Sequence, residues 1–199
     1  VEQCEGRYNR IIENIAKKVA ADGKIEIIML AGPSSAGKTT TAKKIREALK
    51  ANGVNSYAIS LDDFYLDNSD APRFPDGTPD FETVHALDIP FFYEVMKQIL
   101  ETGEADLPEF DFLTGKRKED LNHIKVGERE VIIVEGLHAL NGLTENDLHS
   151  LGDLLCNVSF EFHRASLLKT TFQLTVYHNC APFPSALSTF YIGSHMPDV

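Results

Sequence analysis

Eight residues constrain what this chain can fold into more than any others. Gly32-Pro33-Ser34-Ser35-Ala36-Gly37-Lys38-Thr39 fits the spacing G-x-x-x-x-G-K-[ST]. Glycines at such positions let the backbone wrap closely around phosphate oxygens with its amides pointing inward. The lysine neutralises β- and γ-phosphates, and the hydroxyl after it ligates Mg²⁺. The pattern has this meaning only between a buried strand and a helix. Ile25-Glu26-Ile27-Ile28-Met29-Leu30-Ala31 ahead of it is an apolar run of strand length. Residues 40–49 behind it place Ala42, Ile45, Ala48 and Leu49 on one helical face. The setting is that of a phosphate-binding loop, with residues 32–40 as the candidate nucleotide-binding segment.

Around that unit the chain reads as α/β. Tyr8, Ile11, Ile12, Ile15, Ala16 and Val19 predict a helix over about 7–21, with Gly23 as its stop. Residues 55–61 read as a second strand, so strand, helix and strand form a βαβ unit with a parallel sheet. Residues 62–83 are rich in Asp, Pro and Gly without periodicity, the composition of a long functional loop. Asp88 reads as an N-cap and Pro90 as a first-turn residue of a helix running to about Thr102. Residues 105–127 suggest a small β-excursion that turns at Thr114-Gly115. Val131-Ile132-Ile133-Val134 is the clearest buried strand, a short helix is expected near 145–155, and Val158 to Phe162 reads as a further strand.

With 199 residues the chain is long enough for one such domain. Its net charge of -11 argues against nucleic acid as the main partner, because a surface that binds a phosphate backbone is basic. The three cysteines, Cys4, Cys156 and Cys180, show neither C-x-x-C nor metal-ligand spacing. That suits a reducing compartment. No apolar run reaches the length of a membrane span and no secretory pattern opens the sequence, so the expectation is a cytoplasmic protein without membrane contact. The first residue is Val1, which suggests a segment of a longer, multidomain chain.

Beyond the loop, phosphoryl transfer needs a carboxylate to orient the acceptor hydroxyl, a carboxylate near Mg²⁺ and a pocket for the acceptor. Asp62 and Asp63 follow the second strand, at the sheet edge where ligands of open parallel sheets lie. Asp62 is the preferred general base, with Asp63 the alternative. Glu135 ends the strand Val131–Val134 and is the candidate Mg²⁺ ligand together with Thr39. Pro108-Glu109-Phe110-Asp111-Phe112-Leu113-Thr114-Gly115-Lys116-Arg117 combines aromatic faces with cations at a turn; it suits a planar base, or simply one buried face of a hairpin. His85, His123 and His138 fall in no pattern and read as ordinary histidines. There is no N-K-x-D guanine signature and no D-x-x-G switch, which argues against a GTPase switch.

Taken together, the phosphate loop, Ile59-Ser60-Leu61-Asp62-Asp63-Phe64-Tyr65, Asp80-Phe81-Glu82, Leu107 through Arg117, and Val134-Glu135-Gly136-Leu137-His138-Ala139-Leu140-Asn141 resemble the uridine kinase / phosphoribulokinase-type P-loop kinases in order and spacing across about residues 5–159. They are most similar to the bacterial branch in which this domain follows TGS and threonyl-tRNA-synthetase-like regions. The resemblance implies a three-layer α/β P-loop fold with a mostly parallel central sheet and a small β-excursion for the acceptor. It also implies phosphorylation of a nucleoside 5′-hydroxyl with Mg²⁺-ATP or GTP, in a protein that can be a homo-oligomer. Asp62 falls on the family's catalytic aspartate and Tyr65 on a tyrosine of the acceptor pocket. Phe110 and Phe112 fall on residues that hold the base, and Arg117 on an arginine of that segment.

Two departures shape the expectation. Gly115 stands where uridine kinases carry a histidine that reads the pyrimidine edge, and Phe110 where they carry a tyrosine, so base recognition is expected to differ. After Ser159 the family continues into an arginine-rich lid, whereas this chain offers Arg164 and Lys169 and then no Asp, Glu, Lys or Arg over residues 170–197. The kinase domain is accordingly expected over residues 1–162. Residues 163–199 are expected to form an uncharged tail without helical or strand period, foreign to the ancestral domain. Two alternatives to a nucleoside kinase follow: an ATP-binding module with little catalysis, and a related small-molecule kinase acting on pantothenate or a sugar phosphate.

Overall fold

The computed structural model describes residues 2–23, 25–32, 37–127, 129–139, 155–164, 170–179 and 190–192. Its organising element is the apolar strand pair foreseen in the sequence. β1 (Ile25–Ala31) and β7 (Val131–Gly136) lie parallel, with Ile27 opposite Ile132 and Ala31 opposite Gly136. Alternate residues of each strand serve opposite faces, as a two-residue period requires. Ile28, Leu30, Val131 and Ile133 pack with the helices on one side, whereas Ile27, Met29, Ile132 and Val134 join the core on the other. Both faces are covered, which is why these strands read as continuous apolar runs rather than as alternation.

The first face is closed by α1 (Glu2–Asp22) and α2 (Lys38–Ala51). Ile12, Ile15, Ala16 and Val19 of α1 are buried against Ala42, Ile45 and Leu49 of α2. α1 stops where Gly23 adopts φ 65° and its amide returns to the Val19 carbonyl at 3.2 Å. The second face is closed by α3 (Ile89–Thr102), through Phe92, Val95, Met96 and Ile99. The Asp88 carboxylate caps α3 by accepting from the Phe91 amide at 3.2 Å, as its position in the sequence predicts. Helices, sheet and helix thus make the expected three layers.

β2 (Ser56–Ser60) pairs with β7, not with β1, so β7 lies between the two strands that flank the phosphate-binding segment. The expected β-excursion is two small antiparallel ladders. β3 (Glu104–Leu107) pairs with β6 (Asn122–Lys125), and β4 (Phe110–Asp111) with β5 (Lys116–Arg117), turning at residues 112–115. Between β2 and α3 the long loop carries two 3₁₀ turns, Leu61–Phe64 and Val84–Ala86.

One expectation is corrected. The stretch from residue 170 was expected to lack a strand period, yet Thr170–Asn179 forms β9. β9 is antiparallel to β1 on one side and on the other to β8 (Leu155–Arg164). The short β10 (Phe190–Ile192) runs parallel to β8, completing the sheet order β10-β8-β9-β1-β7-β2. The signal was present: Phe172, Leu174 and Val176 alternate with Gln173, Thr175 and Tyr177. The absence of charge hid it, because a strand needs alternation and β-propensity but no ionic residue. The boundary expected at residues 162–163 falls inside β8. The short helix expected near 145–155 lies almost wholly outside the described residues.

Candidate active site

The register of the three parallel strands builds the site. Glu135, near the end of β7, is opposite Leu30 of β1 and Ser60 of β2. The carboxyl ends of all three strands therefore lie level. Because β7 separates β1 from β2, the connections leaving those ends diverge and leave a crevice between them, which is where open α/β sheets bind ligands.

On the β1 side, Gly37 adopts φ 86°, a left-handed conformation that suits glycine, and α2 starts at the next residue. Among the described residues no side chain caps this helix; an uncapped helix N-terminus suits an anion. Lys38 is buried, with 8% of its surface exposed, and is an electrostatic neighbour of Asp62 and Glu135. The Thr39 hydroxyl donates to Glu135 Oε1 at 2.9 Å, joining two segments 96 residues apart in sequence. Thr40 is exposed on the first turn of α2, while Thr41 is buried and its hydroxyl bonds the Gly37 carbonyl and the Tyr8 hydroxyl of α1. Pro33, Ser34, Ser35 and Ala36 lie outside the described residues.

Glu135 is buried, and its second oxygen, Oε2, has no hydrogen-bond partner among the described residues. Burial is the main cause that pushes its pKa up; the charges of Asp62 and Asp63 add to this, while the Thr39 hydrogen bond and Lys38 oppose it. A buried carboxylate oxygen without a partner, next to a threonine hydroxyl, is a pair of hard oxygen donors. This fits Mg²⁺, which takes one or two protein oxygens and completes its shell with water and phosphate. Among the described residues no cluster of three or more His, Cys, Asp or Glu forms an all-protein metal cage.

On the β2 side, the Ser60 hydroxyl accepts from the Asp62 amide at 3.3 Å and starts the Leu61–Phe64 turn. The turn divides the two aspartates. Asp63 Oδ1 accepts from the Phe110 amide at 3.3 Å and so anchors β4. Asp62 is half-buried; burial raises its pKa first, against the lowering effects of Lys38 and His138. Gly136 brings this turn close to β7. A Cβ on Gly136 would sit 2.6 Å from the Leu61 Cβ, so no other residue allows this approach without displacement. Of the two carboxylates, Asp63 is the one tied to the hairpin backbone.

Next to Asp62 is a cage of rings. Tyr65 contacts Phe81, Phe110 and Phe112 edge-on, with centroids 4.9, 5.7 and 6.2 Å away, and Phe110 meets Phe112 at 5.0 Å. The two hairpin phenylalanines differ in role: Phe110 is core at 5% exposure, whereas Phe112 is 63% exposed and offers a free face. The Tyr65 hydroxyl donates to the Phe81 carbonyl at 3.1 Å. Burial, then the charges of Asp62 and Glu82, pushes its pKa up to about 12. Arg117 turns inward. It bonds Asp88 Oδ2 through both terminal nitrogens at 3.2 and 3.1 Å, reaches the Tyr65 carbonyl at 3.1 Å, and lies over the Phe91 ring. Its amide donates to Asp67 Oδ1 at 2.8 Å. Arg117 thus fastens the hairpin to the cap of α3, and its buried Nε lacks a hydrogen-bond partner among the described residues.

Three residues that sequence reasoning did not assign enter the site. Phe81 completes the aromatic cage. His138, on the turn after β7, is an electrostatic neighbour of Asp62. Asn68 fills the space beside Gly115, where a Cβ would fall 1.9 Å from Asn68 Nδ2. Phe81 and His138 lie in segments that carry the family resemblance, Asp80 to Glu82 and Val134 to Asn141, although His138 by itself read as an ordinary histidine; no local pattern flagged Asn68.

The model of the Phosphoribulokinase / Uridine kinase family matches residues 27–161. A uridine kinase of Lactobacillus helveticus is 30% identical over 139 residues, which are 66% of this chain and 61% of that protein. Uridine-cytidine kinase C of Dictyostelium discoideum is 30% identical over 164 residues, 82% of this chain and 33% of the relative. The chain thus spans between a third and about three fifths of these relatives. Among solved structures, a possible uridine kinase from Bacillus stearothermophilus superposes with a TM-score of 0.57 at 19% identity, covering 71% of this chain and 77% of that one. That likeness supports the P-loop kinase fold alone.

Proposed function

Because the chain belongs to the Phosphoribulokinase / Uridine kinase family, we propose that it transfers the terminal phosphoryl group of ATP or GTP to the 5′-hydroxyl of a nucleoside. One observation carries the reading: Lys38, the Thr39–Glu135 pair and Asp62 meet at the carboxyl ends of three parallel strands, beside the Tyr65–Phe81–Phe110–Phe112 cage.

The roles follow from the geometry. Residues 32–40 grip the donor phosphates, Lys38 by charge and the loop by its amides. Thr39 and Glu135 would hold Mg²⁺, which neutralises phosphate charge when bound. Asp62 orients the acceptor hydroxyl and takes its proton, while that oxygen forms the new bond to phosphorus and the bond from phosphorus to the nucleoside diphosphate breaks. A raised pKa strengthens Asp62 as a proton acceptor once it is ionised. Phe112 stacks on the acceptor, Phe110, Phe81 and Tyr65 support it, and Arg117 positions the hairpin.

A second reading, a nucleotide-binding module with weak transfer, is favoured by one observation. Where the family continues into an arginine-rich lid, this chain runs as β8 and β9, and Arg164 is the only Lys or Arg in those two strands. Arginines that stabilise the transferring charge are worth about 10³–10⁵ in rate. A screen for ATP-dependent phosphorylation across nucleosides, pantothenate and sugar phosphates separates the readings. Transfer to a nucleoside supports the kinase; nucleotide binding without any phosphorylated product leaves the module. The assignment to the branch with TGS and synthetase-like regions, and a cytoplasmic location, are parts of the same proposal.

A further inference from the structure

α1 and α2 are joined by more than their apolar faces. The Tyr8 hydroxyl lies 2.6 Å from the Thr41 hydroxyl, which bonds the Gly37 carbonyl at 2.9 Å. A threonine hydroxyl carries one proton. The Gly37 carbonyl can only accept, so Thr41 gives its proton there and Tyr8 donates to Thr41. The bonds therefore run one way, from α1 through a buried hydroxyl to the residue just ahead of α2. Hydrogen bonds aligned in this way strengthen one another. The Tyr8 ring is held as well: the Lys44 ammonium lies 4.7 Å from its centroid and donates to Asn9 Oδ1 at 3.1 Å.

Where this chain of bonds ends gives it a role. A trans peptide unit is planar, so the Gly37 carbonyl and the Lys38 amide point in opposite directions. Fixing the carbonyl aims the amide, and that amide is the first of α2, a helix with no side-chain cap among the described residues. Gly37, at φ 86°, supplies little conformational restraint of its own. The Thr41 amide also reaches its carbonyl at 2.9 Å, and the hydroxyl chain adds a restraint from a residue 33 positions before Thr41. We propose that Tyr8 is a positioning residue for the donor phosphates: through Thr41 it holds the Gly37 carbonyl and so keeps the Lys38 amide aimed at the phosphates of a bound nucleoside triphosphate. The inference rests on the donor half of the reading above. It extends the phosphate grip to α1, which lies outside the loop motif.

The test is a titration with a fluorescent ATP analogue, run beside thermal melting, on the wild-type chain, Tyr8→Phe, Thr41→Val, Thr41→Ser and the Tyr8→Phe/Thr41→Val double variant. Tyr8→Phe keeps the ring and its Lys44 contact and removes only the hydroxyl. Its dissociation constant for the analogue should rise about fivefold, the size of one net hydrogen bond. Thr41→Val should lose at least as much, and Thr41→Ser, which keeps the hydroxyl, should stay close to the wild type. The double variant should bind no more weakly than Thr41→Val, because Tyr8 acts through Thr41. A Tyr8→Phe chain that melts lower but binds the analogue as the wild type does would overturn the inference, leaving Tyr8 a packing contact between two helices. Additive losses in the double variant would overturn it too. If Thr41→Val does not fold, Tyr8→Phe and Thr41→Ser decide by themselves, and equal affinities in both would overturn the proposal. A wild type that binds the analogue but phosphorylates nothing, with the fivefold loss in Tyr8→Phe, would remove the kinase reading and support this one. A wild type that binds no nucleotide would remove both.

Discussion

The two ends of the proposed site are built on different principles. At the donor end, chemistry lies on consecutive residues of regular elements. The loop, Lys38 and Thr39 follow one another, and Glu135 is placed by strand register. At the acceptor end nothing is consecutive. Asp63 holds Phe110 across 47 residues, Asp67 holds Arg117 across 50, and Arg117 reaches back 29 residues to Asp88. A motif can specify the first kind of site. The second exists only once loop, hairpin and α3 have met, so each of its bonds is a place where acceptor recognition can change without touching the phosphate grip.

That contrast can be broken from either side. The largest effect is expected at the donor end. Lys38→Ala should lower turnover at least a thousandfold, on the order of a lost electrostatic clamp on charge, and weaken ATP binding in a fluorescent-nucleotide titration; unchanged turnover would remove the loop from the mechanism. Asp62→Asn should cut turnover by at least about a hundredfold with nearly intact ATP affinity. Full activity would move the role to Asp63 or Glu135.

The same variant carries a stability signature. Burial raises the folded pKa of Asp62 above its ordinary value of 3.8, so the folded chain holds that proton more tightly than the unfolded chain does. The stabilising contribution of this group is then present below pH 3.8 and is lost as pH rises through the raised value. Ligand-free Asp62→Asn should melt above the wild type at neutral pH, and the gap should close in acid. A melting point that falls instead would show that the carboxylate is held by its neighbours rather than strained by burial.

Arg117→Ala tests the acceptor end. It leaves Asp88 without its partner and frees the hairpin, and should cost about 1–2 kcal/mol of stability, discounted for the partial exposure of the pair. The acceptor KM should rise about tenfold with ATP binding unchanged. A parallel loss of ATP affinity would mean that the two ends are not separable. The smallest effect is expected from Gly115→Ala. Gly115 has φ 66° and faces the Asn68 side chain, so the variant combines about 1 kcal/mol of backbone strain with displacement of Asn68. Chemical denaturation should report a loss of about 1–2 kcal/mol, and the acceptor KM should change more than kcat.

Much of the fold was legible. The apolar runs at β1 and β7 and the helical periods of α1 and α2 were written in single residues. So was the Asp88 cap of α3, because a strand buried on both faces and a capped helix are local statements. β9 was missed although Phe172, Leu174 and Val176 alternate correctly. The proposed donor residues were legible for the same reason as the elements, since they follow one another at a fixed spacing. Arg117 shows the limit. Its place in the hairpin suggested a substrate contact, and the fold directs its guanidinium to Asp88 and the Tyr65 carbonyl.

By itself the sequence determined a phosphate-binding loop between a strand and a helix, and with it the fold class, because glycine conformation, one lysine and the hydrophobic period act over a few neighbouring residues. Only the tertiary structure decided that Asp63 is tied to the Phe110 amide, that β7 separates β1 from β2, that Phe81 packs against Tyr65 and His138 lies in the field of Asp62, and that Gly115 leaves room for Asn68. Each of these depends on two segments tens of residues apart being pressed into contact, and no local pattern encodes the distance between them.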